Sequence, residues 1–174
     1  GYITFKSNTL PLKNKAIREA LSYTIDRELI NKQVSFGTRE PLRSIVPPQF
    51  HKKEFSPFTK YKPNIARTLL KKQGYCETDI LTIPLTFRSN VPADKLLALT
   101  WKDQIKRDLS DCIKITLNGI ESTTVYKQLS EGAFEAVILD WTGAYPDPEA
   151  YLNPLLSCNE IKNKGSYITI DIGS

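Results

Sequence analysis

The most unusual loop of the chain is Asp140-Trp141-Thr142-Gly143-Ala144-Tyr145-Pro146-Asp147-Pro148. Two aromatic residues, Trp141 and Tyr145, flank a small, flexible Thr142-Gly143-Ala144. Trp and Tyr offer flat apolar area with a polar tip at low entropy cost, which suits one wall of a small-molecule site. The same two side chains would serve equally well as a cover over the end of a sheet, and spacing alone leaves both readings open. Asp147 followed by Pro148 has a structural use, as an N-cap with proline at the first helical position. Arg88 and Asn90 follow a second apolar run, LTIPLTF. An arginine there can pair a ligand carboxylate bidentately, or it can be a solvated loop residue.

No catalytic constellation accompanies these residues. The chain has no Gly-rich phosphate loop and no GxSxG elbow. Its single histidine, His51, stands in a polar loop and leaves little for a Ser or Cys triad. Asp140 and Asp147 could form a dyad only if Asp147 gave up its capping role. The three cysteines, Cys76, Cys112 and Cys158, match no zinc or redox spacing. We therefore expect no enzyme, no metal and no cofactor.

The net charge of +5 is scattered over Lys13, Lys15, Lys52, Lys53, Lys71, Lys72, Lys106 and Arg107. A nucleic-acid surface would gather such charges with aromatics on one face, so no nucleic-acid partner is expected. With 174 residues, 40% apolar and 25% charged, the chain is long enough for one domain with a core. No apolar run reaches the ~18 residues of a membrane span. Gly1 leads directly into strand-like sequence and there is no Met, which suggests a piece of a longer protein.

The elements that must position the loop alternate. Residues 2–6 read as a strand, 14–25 as an amphipathic helix, and 27–33 as a short helix capped by Asp26. Residues 35–63 carry six of the prolines and glycines of the chain (Gly37, Pro41, Pro47, Pro48, Pro57, Pro63) with little periodicity. They read as a long Pro-rich wrapping loop pinned by Ile45, Val46, Phe50, Phe55 and Phe58. Asn64 is read as the cap of a helix ending at Gly74. A strand at 81–87 follows, with Pro84 marking it as an edge or bulged strand or placing its boundary elsewhere. Then come a helix at 93–109 with Leu96, Leu97, Leu99, Trp101, Ile105 and Leu109 on its apolar face, and a strand at 113–118. Ser122 caps a helix to about Ser130, and 134–139 is an apolar, central strand. Residues 64–140 thus predict βαβ units and an α/β fold, with a mixed, largely parallel sheet flanked by helices. In such sheets ligands collect beyond the carboxyl ends of the strands, the rim that carries both Trp141 and Arg88.

Four stretches, in order, resemble the extracellular solute-binding proteins of ABC importers called family 5, the oligopeptide- and dipeptide-binding type. They are AIREALSYTIDR at 16–27, Val46-Pro47-Pro48, NIARTLL at 64–70 with Gly74-Tyr75, and Gly132–Ala136 with Trp141 and Tyr145-Pro146-Asp147-Pro148. The resemblance covers about residues 1–160. It implies that 1–174 is a single lobe of a type II periplasmic-binding-protein-like fold, the carboxyl-terminal one, with the amino-terminal lobe lying elsewhere in the protein. It implies further a hinged cleft for a peptide or other small solute, lined here by Trp141, Thr142, Gly143, Ala144, Tyr145, Arg88 and Asn90. A membrane permease is the implied partner. The implied location is periplasmic or extracellular, with a signal peptide and, in some arrangements, a lipidated amino terminus in the full-length protein.

One departure matters. Peptide-binding members usually carry, after the Trp, an Asp that holds the peptide α-ammonium; that position here is Ala144, which cannot. Asp140 is left either to supply the charge or to be a surface residue at the strand end. Cys76 and Cys112 each precede a strand, so neighbouring parallel strands would bring them to one rim as a possible structural disulfide. Cys158 would then be unpaired or paired outside this chain, and SYITIDI at 166–172 could add a strand. The alternatives to transport are a ligand-sensing regulatory module and a small α/β hydrolase-like enzyme.

Overall fold

The computed structural model describes residues 1–42, 44–50 and 60–156. The elements are β1 (Tyr2–Phe5), α1 (Lys15–Tyr23), α2 (Arg27–Ser35), a 3₁₀ turn (Pro48–Phe50), α3 (Pro63–Lys72), β2 (Leu81–Arg88), α4 (Pro92–Asp108), β3 (Ile113–Ile120), α5 (Ser122–Leu129), β4 (Ala136–Leu139) and α6 (Glu149–Leu156). The sheet runs β1-β4-β2-β3, with β2 parallel to both β3 and β4 and only β1 antiparallel. This is the mixed, largely parallel α/β sheet that the alternation of elements predicts.

Period-two alternation divides the sheet between two cores. Ile83, Leu85, Ile115 and Ile138 turn to one face, where they meet Ala20 and Leu21 of α1, Ala66 and Leu70 of α3, and Trp101 and Ile105 of α4. Val137 and Leu139 turn to the other face and pack on Val125 and Leu129 of α5. All of β4 is buried, as its uninterrupted apolar run requires.

Pro84 does not mark an edge strand, because β2 has neighbours on both sides. The amides of Leu81 and Ser89 donate to Cys112 and Ile120 of the β3 side. Two-residue alternation therefore aims position 84 toward β4, and β4 pairs with β2 only at Leu85 and Thr86. Pro84 sits just before that ladder begins, where a missing N–H costs no sheet bond.

The buried stripe of α4 also differs from the predicted one. Asp94, Ala98, Trp101, Gln104 and Ile105 are buried, at spacings of three, four and one, while Leu96 and Leu99 are exposed at 39% and 40%. Two polar side chains occupy this stripe because each has a partner. Gln104 exchanges hydrogen bonds with the backbone of Asp26 at 3.3 Å in both directions. Trp101 Nε1 donates to Thr24 Oγ1 at 2.9 Å, so the 16–27 segment docks α1 on α4.

Helix starts are less regular than the sequence implies. Asp26 caps α2, its carboxylate accepting from Leu29 N at 3.1 Å. For α3, however, the cap is Lys62, with Pro63 in the first turn and no side-chain cap, so Asn64 lies inside the helix. Glu121, not Ser122, caps α5. Between α2 and α3, Ile45, Val46 and Phe50 are half-buried and Ser44 is buried. His51, Phe55, Phe58, Cys158 and the 166–172 segment lie outside the described residues.

Candidate functional site

The parallel register Leu85↔Ala136 carries Arg88 alongside Leu139, so the end of β2 meets Asp140 as it leaves β4. Arg88 is 6% exposed. Its Nε and NH2 reach the two Asp94 oxygens at 2.7 and 3.0 Å. Its NH1 reaches Asp140 Oδ1 at 2.6 Å and donates to the Tyr126 hydroxyl at 2.8 Å. The Asp94 carboxylate holds the guanidinium above its ordinary pKa against the opposing effect of burial, with Asp140 adding to the rise. Arg88 is thus neither a solvated arginine nor an open fork. Its bidentate face is already taken by a buried carboxylate.

Asn90 is likewise committed to the scaffold. Its Oδ1 accepts from Ser122 N at 3.0 Å and Ser122 Oγ at 2.7 Å, which satisfies the exposed start of α5. The residues that sequence reasoning missed here are Asp94, Tyr126 and Glu121. The available signal for Asp94 was an acidic residue in the first turn of a helix that starts soon after an arginine. That pattern reads as an ordinary response to the helix dipole.

Beyond Asp140 the aromatic turn stands in the open. Trp141 is 45% and Tyr145 50% exposed, Thr142 and Ala144 are exposed, and Gly143 is half-buried. Trp141 Nε1 donates to the carbonyl of Ala150 at 2.7 Å, which ties the indole edge to α6 and leaves much of the ring uncovered. Asp147 Oδ1 accepts from Glu149 N at 2.8 Å, so Asp147 opens α6 as a cap. The structure therefore brings Trp141, Tyr145 and Arg88 to one rim but gives only the turn residues an open face.

Gly143 is required by close approach. A Cβ there would lie 2.8 Å from the Tyr151 ring and 3.0 Å from Ala150 Cβ. Tyr151 is itself packed against Phe50 of the 3₁₀ turn, with ring centroids 6.0 Å apart. Gly143→Val is therefore expected to push α6 off the turn and to cost about 1–3 kcal/mol, as overpacking does. A denaturant midpoint equal to that of the parent protein would show that α6 yields freely.

Tyr2 of β1 lies near the same cluster. Burial pushes its phenol up to about 12, with the negative charge of Asp140 adding to the rise. A raised phenol favours the neutral form, so the associated stability is complete below the ordinary value of 10 and is lost as pH climbs through about 12. Absorbance titration should show one tyrosine ionising last, and Asp140→Asn should bring that step to lower pH. A Tyr2→Phe variant with an unchanged last step would contradict the assignment.

On the opposite rim Cys76 and Cys112 are joined by a disulfide across 36 residues. It lies at the amino-terminal ends of β2 and β3, where Leu81 is paired with Ile113, and so away from the aromatic turn. Among the described residues no group of three His, Cys, Asp or Glu is placed to hold a metal ion. No helix of the described residues is long and apolar enough to cross a membrane.

Known proteins are similar to this chain in sequence and in architecture. Heme-binding protein A of Haemophilus influenzae is 30% identical over 170 residues, 94% of this chain and 30% of that protein. The dipeptide-binding protein of Escherichia coli is 24% identical over 172 residues, 96% of this chain and 31% of that protein. Among solved structures, the dipeptide-binding protein from Pseudoalteromonas sp. SM9913 in complex with Met-Leu superposes with a TM-score of 0.78 at 26% identity. The alignment covers 90% of this chain and 31% of that one. The murein tripeptide binding protein of Escherichia coli gives 0.77 at 25% identity, covering 90% and 31% of the two chains. The chain thus spans about 30% of the length of the curated relatives it matches. Residues 1–163 match the model of the bacterial extracellular solute-binding proteins, family 5 Middle, and the chain belongs to that family.

Proposed function

We propose that the protein is the substrate-binding component of an ABC importer, and that this chain contributes one wall of its hinged cleft. The observation that carries this reading is the aromatic turn. Trp141 and Tyr145 are large, half-exposed and held at the carboxyl rim of a parallel sheet. Large apolar side chains held open at such a rim are what a small-molecule site needs from one of its faces. In this reading residues 1–174 form one lobe, with 35–63 wrapping it. The second wall comes from a lobe elsewhere in the protein, and closure joins the two. The protein works outside the inner membrane, delivers its cargo to a membrane permease and catalyses nothing. A lipidated amino terminus is one way such a protein would stay near that permease.

A peptide is the cargo class we favour, because relatives named for dipeptides match nearly the whole chain. Ala144 sets a limit on this, since a turn without a carboxylate at that position cannot form a charge-assisted hydrogen bond to an ammonium there. Calorimetry on the whole protein with a dipeptide series and with haem would identify the class. Trp141→Ala is expected to weaken the best of these by about tenfold or more, the usual consequence of losing an aromatic anchor. The variant also removes the donor to the Ala150 carbonyl, which Pro154 cannot serve, so about 1 kcal/mol of stability should be lost beside the affinity. Unchanged affinity in Trp141→Ala would remove the turn from the cleft.

A further inference from the structure

The aromatic turn has to hold its shape without a covering layer, and the structure supplies an anchor for it. Arg88 is a junction of four elements. It ends β2, grips Asp94 in the first turn of α4, touches Tyr126 of α5, and reaches Asp140 where β4 runs into the turn. The two halves of this junction differ. Asp94 and Arg88 side chains are each 7% exposed, whereas the Asp140 side chain is 60% exposed. The Arg88–Asp94 pair belongs to the interior, and Asp140 is an outer residue fastened to it.

We propose that Arg88, through Asp140, is the positioning residue for the aromatic turn. The buried pair is the fixed post, and the Arg88–Asp140 contact sets where the chain emerges from β4 and hence where Trp141 begins. The far end of the turn is fixed independently, by the Asp147 cap, and the Trp141 side chain is tied across to Ala150 of α6. With both ends tied, Thr142, Gly143 and Ala144 have little freedom, although Thr142 and Ala144 are solvent-exposed. Such preorganisation lowers the ordering cost of binding. Arg88 would then influence a ligand without touching it. That last consequence rests on the turn being a cleft wall; the anchoring itself does not.

Backbone 15N relaxation of the full-length protein without ligand reads the motion of the turn, and hydrogen exchange of the same protein reads general stability. In Asp140→Ala the order parameters of residues 141–145 should fall from those of ordered backbone to below about 0.6, while the amides of β2, β4 and α4 keep their parent exchange rates. Asp140→Glu, which can still reach the guanidinium, should recover part of the order. A doubly substituted Arg88→Leu/Asp94→Leu protein removes the post without stranding a buried charge, and should loosen the same residues. Unchanged order parameters in the turn of Asp140→Ala would overturn the proposal. So would faster exchange across the sheet, which would make the contact a general stabiliser only. Because no ligand is present, neither result depends on whether the turn lines a cleft.

Discussion

Replacing both Cys76 and Cys112 with alanine is expected to lower the unfolding free energy by about 3–4 kcal/mol. The bond closes a loop of 36 residues, and opening a loop of that size returns much chain entropy to the unfolded state. It fastens the α3–β2 connection to the start of β3, where Cys112 is wholly buried. The backbone adds a second element. Cys76 has φ of 77°, a left-handed conformation that a side chain disfavours, and it needs an external constraint to persist there. Without the bond, glycine should suit position 76 better than alanine. The Cys76→Gly/Cys112→Ala protein is therefore expected to recover about 1 kcal/mol relative to the double alanine protein. Denaturant unfolding with and without reductant checks both expectations. Equal midpoints for oxidised and reduced parent protein would contradict the first, and a less stable glycine variant the second.

Arg88→Leu is expected to cost about 3–5 kcal/mol, because it leaves the Asp94 carboxylate buried and unpaired. Asp94 is only 5% exposed, so water cannot replace the lost partner without opening the N-terminal turn of α4. Asp140 would lose the same partner cheaply, being open to solvent. The contrast is with Arg88→Leu/Asp94→Leu. Removing both charges together avoids the stranded carboxylate, so the double variant should be more stable than the single one, despite carrying one more substitution. Equilibrium unfolding of the three proteins decides the matter. A double variant no more stable than Arg88→Leu would mean that the pair's own bonding, and not the cost of an orphaned charge, dominates.

The disulfide was open to inference from the sequence and the Arg88–Asp94 pair was not. Strands, helices and their order were legible because apolar periodicity records which face is buried; β4 and α1 are direct examples. The cysteine pair was legible as a possibility once two parallel strands were inferred, since each cysteine stands just before one. The aromatic turn was visible as an unusual composition, and Asp147 as a cap by its position before Pro148. Arg88 was legible as a residue at the ligand-side rim, but its partners were not. An ion pair between a strand end and a helix start depends on three-dimensional closure, and no spacing rule distinguishes it from a solvated arginine. The polar residues in the buried stripe of α4 were hidden for the same reason. Asp94 and Gln104 are buried because partners await them, while Leu96 and Leu99, which look like core, lie off the stripe. Pro84 misled because a breaker in a strand implies an edge. The strand is interior, and its unpaired position arises only from where β4 begins.

If Trp141 and Tyr145 form one wall of a closing cleft, a bound ligand must cover them. Hydroxyl-radical footprinting of the whole protein, with and without saturating amounts of the ligand class found by calorimetry, tests it directly. Oxidation of Trp141 and Tyr145 should fall by about threefold or more on binding, because such sites cover most of their ligand. Phe36, 84% exposed at the carboxyl end of α2, should keep its rate. Equal oxidation of both turn aromatics in the bound and free protein would contradict the claim and leave the turn as a cover for the sheet.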